Sequence, residues 1–165
     1  MSPLATIFLF LHVMGAIAVF GPTFTFPIIA RQAQRAPQHG NFAATISEFI
    51  ERRIVIPGAI VQGLTGIGLI LIIGFDLTAS TSRWLVGGIV LYAVAISFAI
   101  FVQAPAAEKM VHLTAAMSGP PPAGAVPSGP PPEIAATGKK LQQGGMFLSV
   151  LIVLIVILMT TKPTF

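Results

Sequence analysis

Four long apolar segments limit what this chain can fold into more than any other feature of its sequence. None of them contains an Asp, Glu, Lys or Arg residue, and they cover residues 4–30, 54–75, 84–102 and 142–161. A bilayer core of about 30 Å is crossed by about 20 apolar residues in a helix. Because lipid offers no hydrogen bonds to the backbone, each segment has to be helical. The sequence therefore predicts an all-α, polytopic membrane protein, a single domain built as a four-transmembrane-helix bundle.

The composition agrees with a lipid environment. Charged residues make up 8% of the 165 residues and hydrophobic residues 55%, whereas a soluble domain carries about 25% charged residues. The chain has no cysteine, which excludes disulfides, thiolate metal sites and thioether-attached haem. Trp84 stands at the start of the third segment, where we expect it to act as an interfacial anchor.

The Lys and Arg residues are distributed unevenly between the connecting segments. Residues 31–53 and 103–145 together hold seven of them, and the remaining two are Arg83 and Lys162. Cytoplasmic loops of membrane proteins are enriched in Lys and Arg. We therefore predict a multi-pass membrane protein with residues 31–53 and 103–145 in the cytoplasm and both termini outside.

The connecting segments differ in their predicted structure. Residues 118–132 read SGPPPAGAVPSGPPP, and their proline runs fix φ and donate no N–H groups, so we predict an extended Pro-rich cytoplasmic tether. Residues 107–117 are expected to continue the third helix beyond the membrane. A helix lying at the membrane surface and leading into the second span is predicted from apolar residues at helical spacing, namely Phe42, Ile46, Phe49 and Ile50.

His12 lies about eight residues inside the first span, which at 1.5 Å per residue places it close to the bilayer midplane. An ionisable side chain at that depth is costly and suggests a function, such as an axial haem ligand or a proton-carrying site. The alternative, which we favour, is a neutral histidine hydrogen-bonded to a neighbouring helix. His39 and His112 fall in the connecting segments and are expected to be solvated.

The first span is interrupted after His12 by Pro22 and Pro27. Each proline removes a helical hydrogen bond, and the hydroxyls of Thr23 and Thr25 can bond the carbonyls that are freed. A kinked or locally unwound segment is predicted. Unwound segments form ion and substrate sites in transporters, but a simple kink at the membrane boundary is the interpretation we favour.

The second span carries a wide face of small and polar residues on which the first span is expected to pack. Gln62 or Thr65 is the predicted partner of His12. All five acidic residues lie in loops or at span ends, which argues against a transporter driven by a buried carboxylate. No catalytic motif or metal-ligand cluster is recognised. The predicted packing residues are Gly58, Ala59, Gln62, Gly63, Thr65 and Gly66.

Four stretches of this sequence resemble a bacterial family of predicted four-span integral membrane proteins, domain of unknown function 2269. They are LHVMGAIAVFGPTFTFPIIARQA, RRIVIPGAIVQGLTGIGLIL, RWLVGGIVLY and ILMTTKP. The resemblance covers nearly the whole chain except the tether. It implies a membrane bundle of four helices and assigns no activity.

A more distant resemblance is to the four-helix protoporphyrinogen oxidase type that binds haem b. That family has a histidine, a glycine and a Pro–Arg stretch in its first helix, as in His12, Gly15, Pro27 and Arg31. It has a lysine after the third-helix tryptophan, where this chain has Gly87 and Gly88. Its fourth helix also opens with an Asn-Glu-Pro element that this chain lacks. The resemblance therefore implies His12 as a haem ligand and does not extend to the oxidase activity.

Three functions are compatible with these features. The first is a non-enzymatic accessory subunit that packs in lipid with other membrane subunits or as a homo-oligomer, in an electron-transfer or photosynthetic complex. The second is a membrane redox protein that binds haem b through His12. The third is a small-molecule transporter. A nucleic-acid partner is not expected, because the net charge of +4 comes from the loops.

Overall fold

The protein consists of four long helical rods. The computed structural model describes residues 2–116 and 130–163. In those residues there is no β-strand, and four helices are long and apolar enough to cross a membrane, namely Pro3–Arg35, Pro37–Ile73, Ser80–Ala115 and Pro132–Thr161. The prediction of an all-α membrane protein with four transmembrane helices is therefore confirmed. Most of the tether, residues 118–129, lies outside the described residues.

Three of the four rods are interrupted by short turns of a different helix type. The α-helical parts are α1 Pro3–Phe20, α2 Phe26–Arg35, α3 Gly40–Ile50, α4 Ile56–Ile73, α5 Arg83–Phe98, α6 Ala104–Ala115 and α7 Pro132–Thr161. A 3₁₀ turn at Gly21–Thr25 joins α1 to α2, and π turns at Glu51–Val55 and Ala99–Gln103 join α3 to α4 and α5 to α6. Pro132 occupies the first turn of α7, where a missing N–H costs nothing. Pro132, the last residue of the predicted tether, is therefore the first residue of α7.

The helices pack in antiparallel pairs. In the apolar part α1 packs on α4 and α5 packs on α7, and beyond it α3 and α7 both pack on α6. The two apolar pairs are joined by the Tyr92 hydroxyl, which donates to the Ala59 carbonyl at 2.5 Å. We call the end formed by α2, α3, α6 and the start of α7 the basic end, because it carries Arg31, Arg35, Arg52, Arg53, Lys109, Lys139 and Lys140.

The helix α3 is continuous with α4 and contacts α6. It runs through the π turn into α4, and its Asn41 side chain donates to the Val111 carbonyl of α6 at 3.2 Å. The predicted surface helix is therefore paired with α6, which continues the third rod as expected. Phe42 remains 73% exposed on the opposite side of this pair.

Trp84 differs from its predicted role as an interfacial anchor. It is only 7% exposed and packs edge-on against Phe75, with ring centroids 5.9 Å apart. The Lys162 ammonium lies 5.6 Å from the centre of the indole ring, within the range of a cation–π interaction. The tryptophan therefore ties the end of α7 to the turn before α5, and its ring is hidden from lipid.

Large apolar side chains cover the outside of the bundle. Leu71 is 75% exposed and Phe101 is 76% exposed. Within the four apolar windows, 11% to 22% of the residues are buried inside the chain. Because an apolar surface of this extent is unstable in water, it has to face lipid or another protein.

Candidate functional site

The contact between α1 and α4 holds a group of hydrogen-bonded polar side chains in the apolar part of the bundle. The two helices run antiparallel, with His12 beside Thr65, Gly15 beside Gln62, and Val19 beside Gly58. Each step of three or four residues forward on α1 is matched by the same step backward on α4. This regular register places one small residue opposite each larger one.

His12, Gln62 and Thr65 form a closed hydrogen-bonded group. The Gln62 amide donates to the His12 backbone carbonyl at 2.8 Å, and the Thr65 hydroxyl donates to the Gln62 carbonyl at 2.9 Å. The Thr65 oxygen lies 2.9 Å from His12 Nδ1. Since the hydroxyl has one proton to give, its oxygen accepts from the ring. The network assigns the proton of a neutral His12 to Nδ1 and leaves Nε2 with a lone pair.

Two glycines make room for this polar group. A Cβ added at Gly15 would lie 2.6 Å from Gln62 Oε1, and one added at Gly66 would lie 3.2 Å from His12 Cε1. Among the predicted packing residues, Gly58 lies against Val19, and Gly63 lies against the Tyr92 ring. Gln62 and Ala59 are buried at 6% and 7% exposure.

Sequence reasoning missed two contributors to this interface. Gly68 lies against the Phe8 ring, where an added Cβ would be 2.5 Å from the aromatic carbon Cε1. Tyr92 reaches the same helix from α5. Phe8 precedes His12 by four residues and Gly68 follows Thr65 by three, so helical spacing could have predicted the first contact. Nothing in the sequence pairs Tyr92 with α4.

The haem b that the distant resemblance implies can be tested against this geometry. A haem-ligating histidine uses one ring nitrogen for iron and commonly donates the other N–H to a nearby acceptor. His12 meets this requirement, because Nδ1 is engaged by Thr65 and Nε2 is left for a ligand. His12 supplies one protein ligand, since the other two histidines lie at the basic end on α6 and beside α3.

The break in the first rod contains a buried hydroxyl without a partner. Thr25 donates to the Pro22 carbonyl at 2.7 Å, as predicted for a carbonyl freed by proline. Thr23 was expected to do the same, but its hydroxyl has no hydrogen-bond partner among the described residues, although the residue is only 4% exposed. The 3₁₀ turn that carries it contacts the π turn of the second rod and also α7.

Glu51 opens that π turn and is an acidic residue whose burial was not predicted from the sequence. It lies at the end of the second span, as expected, but it is buried at 5% exposure. Burial raises its pKa to about 7, and the neighbouring Glu48 carboxylate acts in the same direction. Arg52 forms ion pairs with Glu48 and Glu108 at 2.9 and 2.7 Å, and within the described residues no cation pairs with Glu51. Glu51 is therefore an acidic residue at a span end, as predicted, whose side chain is buried inside the chain.

The second π turn brings a buried amide into the contact between α5 and α7. Gln103 is 6% exposed and donates to the Leu141 carbonyl at 3.1 Å. Its oxygen lies against Gly144, where a larger side chain would not fit. Each π turn therefore carries a buried polar residue near the basic end, Glu51 in the first and Gln103 in the second. π turns are rare inserts in helices and often mark functional positions.

The remaining histidines and the acidic side chains do not form a further candidate site in the described residues. His39 and His112 are exposed, as predicted. In residues 2–116 and 130–163 no three His, Asp or Glu side chains come together as a metal site would require. The chemically distinctive features are therefore the His12 group in the apolar part and the pair of buried polar residues, Thr23 and Glu51, at the breaks.

Comparison with known proteins gives one match. A family model described as predicted integral membrane protein (DUF2269) matches residues 6–163. No curated protein and no solved structure matches the chain. The match extends over all four rods.

Proposed function

The chain belongs to the DUF2269 family of predicted integral membrane proteins, and we propose that it acts as a non-catalytic membrane subunit that packs against the helices of other chains. In this role its own small-residue faces hold the four rods together. A separate outer face then binds the partner. The partner is a membrane helix of another subunit or of a second copy.

The observation that carries this proposal is an open groove along one face of α5. The groove measures about 590 Å³, and its lining is almost entirely apolar. Ala93 and Ser97 lie four residues apart on its floor and are exposed. Two small residues at this spacing allow close approach of another helix, and a serine can donate across the contact. The groove is completed by Val90, Val94, Phe98, Phe101 and Val102.

The same proposal places the protein in a bacterial inner membrane with its basic end in the cytoplasm. Seven of the nine Lys and Arg residues support this orientation, since they all belong to the segments at that end. A reporter that is active only in the cytoplasm, inserted in the tether, should be active, and one after Phe165 should not. The reverse pattern would contradict the orientation.

The docking role can be tested by filling the groove. Ala93→Leu should abolish co-purification of partner chains in mild detergent, or shift the native mass from oligomer to monomer. Ala18→Leu is the matched control, because Ala18 is also an exposed span residue but lies on α1, away from the groove. Equal loss with both variants would contradict a specific role for α5. A wild-type chain that is monomeric and free of partners in bilayer discs would contradict the subunit role altogether.

A second function, haem b binding, is favoured by the tautomer of His12. Its Nδ1 is occupied by Thr65, so Nε2 is the nitrogen that would bind iron. Bound haem would supply one-electron redox chemistry. The chain would contribute the ligand nitrogen, and the contact with Thr65 would fix the orientation of the ring. Protein expressed with haem available should then show a Soret band near one haem per chain.

The variants that decide this second function are His12→Gln and Thr65→Val. Loss of the band with His12→Gln and a spectral shift with Thr65→Val would support the ligand role. A colourless wild-type protein that retains its fold would contradict it. His112→Gln serves as the control, since His112 is exposed at the basic end and should leave the spectrum unchanged.

A further inference from the structure

A cleft between α6 and α7 at the basic end combines positive charge with an apolar floor. Its volume is about 380 Å³, and Pro105, Ala106 and Ala136 form the apolar part. The polar part is formed by Lys109, Thr137 and Lys140. Among the described residues that line the cleft there is no carboxylate, so the cleft is suited to an anion and not to a cation.

The two lysines differ in how freely they can bind a ligand. Lys109 forms an ion pair with Glu133 at 2.8 Å, and the two side chains are 54% and 59% exposed. A pair so exposed contributes at most about 1 kcal/mol and can be exchanged for another anion. Lys140 has no carboxylate partner among the described residues, where the ion pairs use Glu48, Glu108 and Glu133. The cleft therefore holds one cation that lacks a partner and one that can be released.

The cleft lies at the depth of the lipid headgroups. The hydrogen bond from Gln103 to the Leu141 carbonyl marks the edge of the apolar segments of α5 and α7. Lys140 precedes Leu141 directly, and Ala106 is three residues beyond Gln103. At 1.5 Å per residue these positions are about 2–5 Å past that edge, inside a headgroup layer of roughly 5–8 Å.

We propose that this cleft is a binding site for the phosphodiester headgroup of an anionic phospholipid such as phosphatidylglycerol. The ammonium groups of Lys109 and Lys140 contact the phosphate oxygens, and the Thr137 hydroxyl donates a further hydrogen bond. Pro105, Ala106 and Ala136 contact the glycerol backbone. A soluble phosphate would gain nothing from these apolar residues, which favours a lipid as the occupant.

The proposal can be tested with the full chain in detergent by native mass spectrometry. Phosphatidylglycerol and phosphatidylcholine with identical acyl chains are added in equal amounts. Each basic residue near an anionic membrane surface contributes about 1 kcal/mol, or a factor of about five. With two lysines in the cleft, we expect retention of phosphatidylglycerol to exceed that of phosphatidylcholine by up to about 25-fold. The double variant Lys109→Gln/Lys140→Gln should abolish the preference.

Two further variants separate a specific cleft from general electrostatic attraction. Arg53→Gln/Lys139→Gln removes the same two charges at the same end but outside the cleft, and it should keep most of the preference. Ala136→Leu fills the cleft without changing the charge, and it should abolish the preference even if the lysine variant misfolds. If Ala136→Leu leaves the preference unchanged, or both double variants reduce it equally, the proposal is wrong.

The source of the phosphate is decided in the same experiment. Millimolar inorganic phosphate is compared with sodium chloride at equal ionic strength. Phosphatidylglycerol that stays bound in both salts supports a lipid site. Displacement by phosphate alone would show that the cleft binds the free anion, and it would overturn the assignment to lipid.

Discussion

The first and second rods contact each other in two regions, which differ in how their buried polar groups are hydrogen-bonded. One region is the apolar contact between α1 and α4, and the other is the contact between the 3₁₀ turn and the π turn. In the apolar part, His12, Gln62 and Thr65 satisfy one another through three hydrogen bonds of 2.8 to 2.9 Å. At the breaks, within residues 2–116 and 130–163, the Thr23 hydroxyl has no hydrogen-bond partner and the buried Glu51 carboxyl has no cation as a partner. Polar groups deep in lipid can form hydrogen bonds only with one another. Groups at the boundary can also bond to water, take up a proton or contact a partner chain.

The comparison also indicates which region can respond to its surroundings. In the His12 group, three hydrogen bonds join groups of the chain to one another, and the Nε2 lone pair of His12 is left over. The breaks combine an irregular backbone with a carboxyl whose pKa of about 7 lies close to neutral pH. The charged groups on the elements packed against Glu51 are Glu48 on α3 and the neighbouring Arg52 and Arg53. We therefore expect the His12 region to govern packing and the Glu51 region to respond to pH.

The largest expected effect is that of Glu51→Gln on the pH dependence of stability. The folded-state pKa of about 7 lies above the ordinary value of 4.5, so the folded state holds a proton that the unfolded state has released. The wild type therefore loses stability between about pH 4.5 and 7, by up to about 3 kcal/mol. The variant should show no such loss, so it should be the more stable protein at pH 8.

Unfolding in mixed detergent micelles at pH 4, 6 and 8 measures this difference. Glu133→Gln is the control, since Glu133 is exposed and should leave the wild-type profile intact. Parallel stability profiles for wild type and Glu51→Gln would show that Glu51 is not desolvated in the folded protein.

A smaller effect is expected when the close contact between α1 and α4 is overfilled. Gly15→Leu should destabilise the protein by about 1–3 kcal/mol, because its side chain enters the space of the Gln62 amide. Gly21→Leu is the matched control, since an added Cβ there meets nothing within 4 Å. Thermal unfolding midpoints in detergent compare the two variants, and equal shifts would mean that the interface is looser than described.

Replacing threonine by valine should change the free energy of unfolding in opposite directions in the two regions. Thr23→Val replaces a hydroxyl that has no partner, so it should raise the free energy of unfolding by about 1 kcal/mol. Thr65→Val removes two hydrogen bonds within the His12 group, and it should lower that free energy by about 0.6 kcal/mol. If both variants are destabilised, Thr23 has a partner outside the chain, such as water or another subunit.

The smallest expected effect is the difference in stability between His12→Gln and His12→Leu. His12→Gln keeps a donor for Thr65, whereas His12→Leu leaves Thr65 without it. Because polar contacts between membrane helices average about 0.6 kcal/mol, the Leu variant should be less stable by about this amount and still fold. Careful measurement of unfolding in detergent is needed to resolve it. Equal stability of the two variants would mean that the ring contributes by packing alone.

The sequence alone determined the fold class and most of the first interface. Four apolar segments without charge can only be helices in lipid, and the small residues of the second span could be assigned to close packing because they recur at helical spacing. His12 was notable for its depth, and the only polar residues on the facing helix at a similar depth were Gln62 and Thr65. The positions of these residues along their spans were sufficient to predict the contact, because neighbouring helices that cross a membrane bring residues of similar depth together.

The tertiary structure decided which polar residues end up buried at the boundary. The sequence places Glu51 next to Arg52 and Arg53 at the end of the second span and does not indicate that it is buried. In the structure it is the first residue of the π turn and is buried. Trp84 looked like a lipid anchor until Phe75 and Lys162 were found to cover it. The cleft of Lys109 and Lys140 joins residues 31 positions apart. These features depend on how separate helices are placed against each other, which the 3.6-residue pattern of a single helix does not contain.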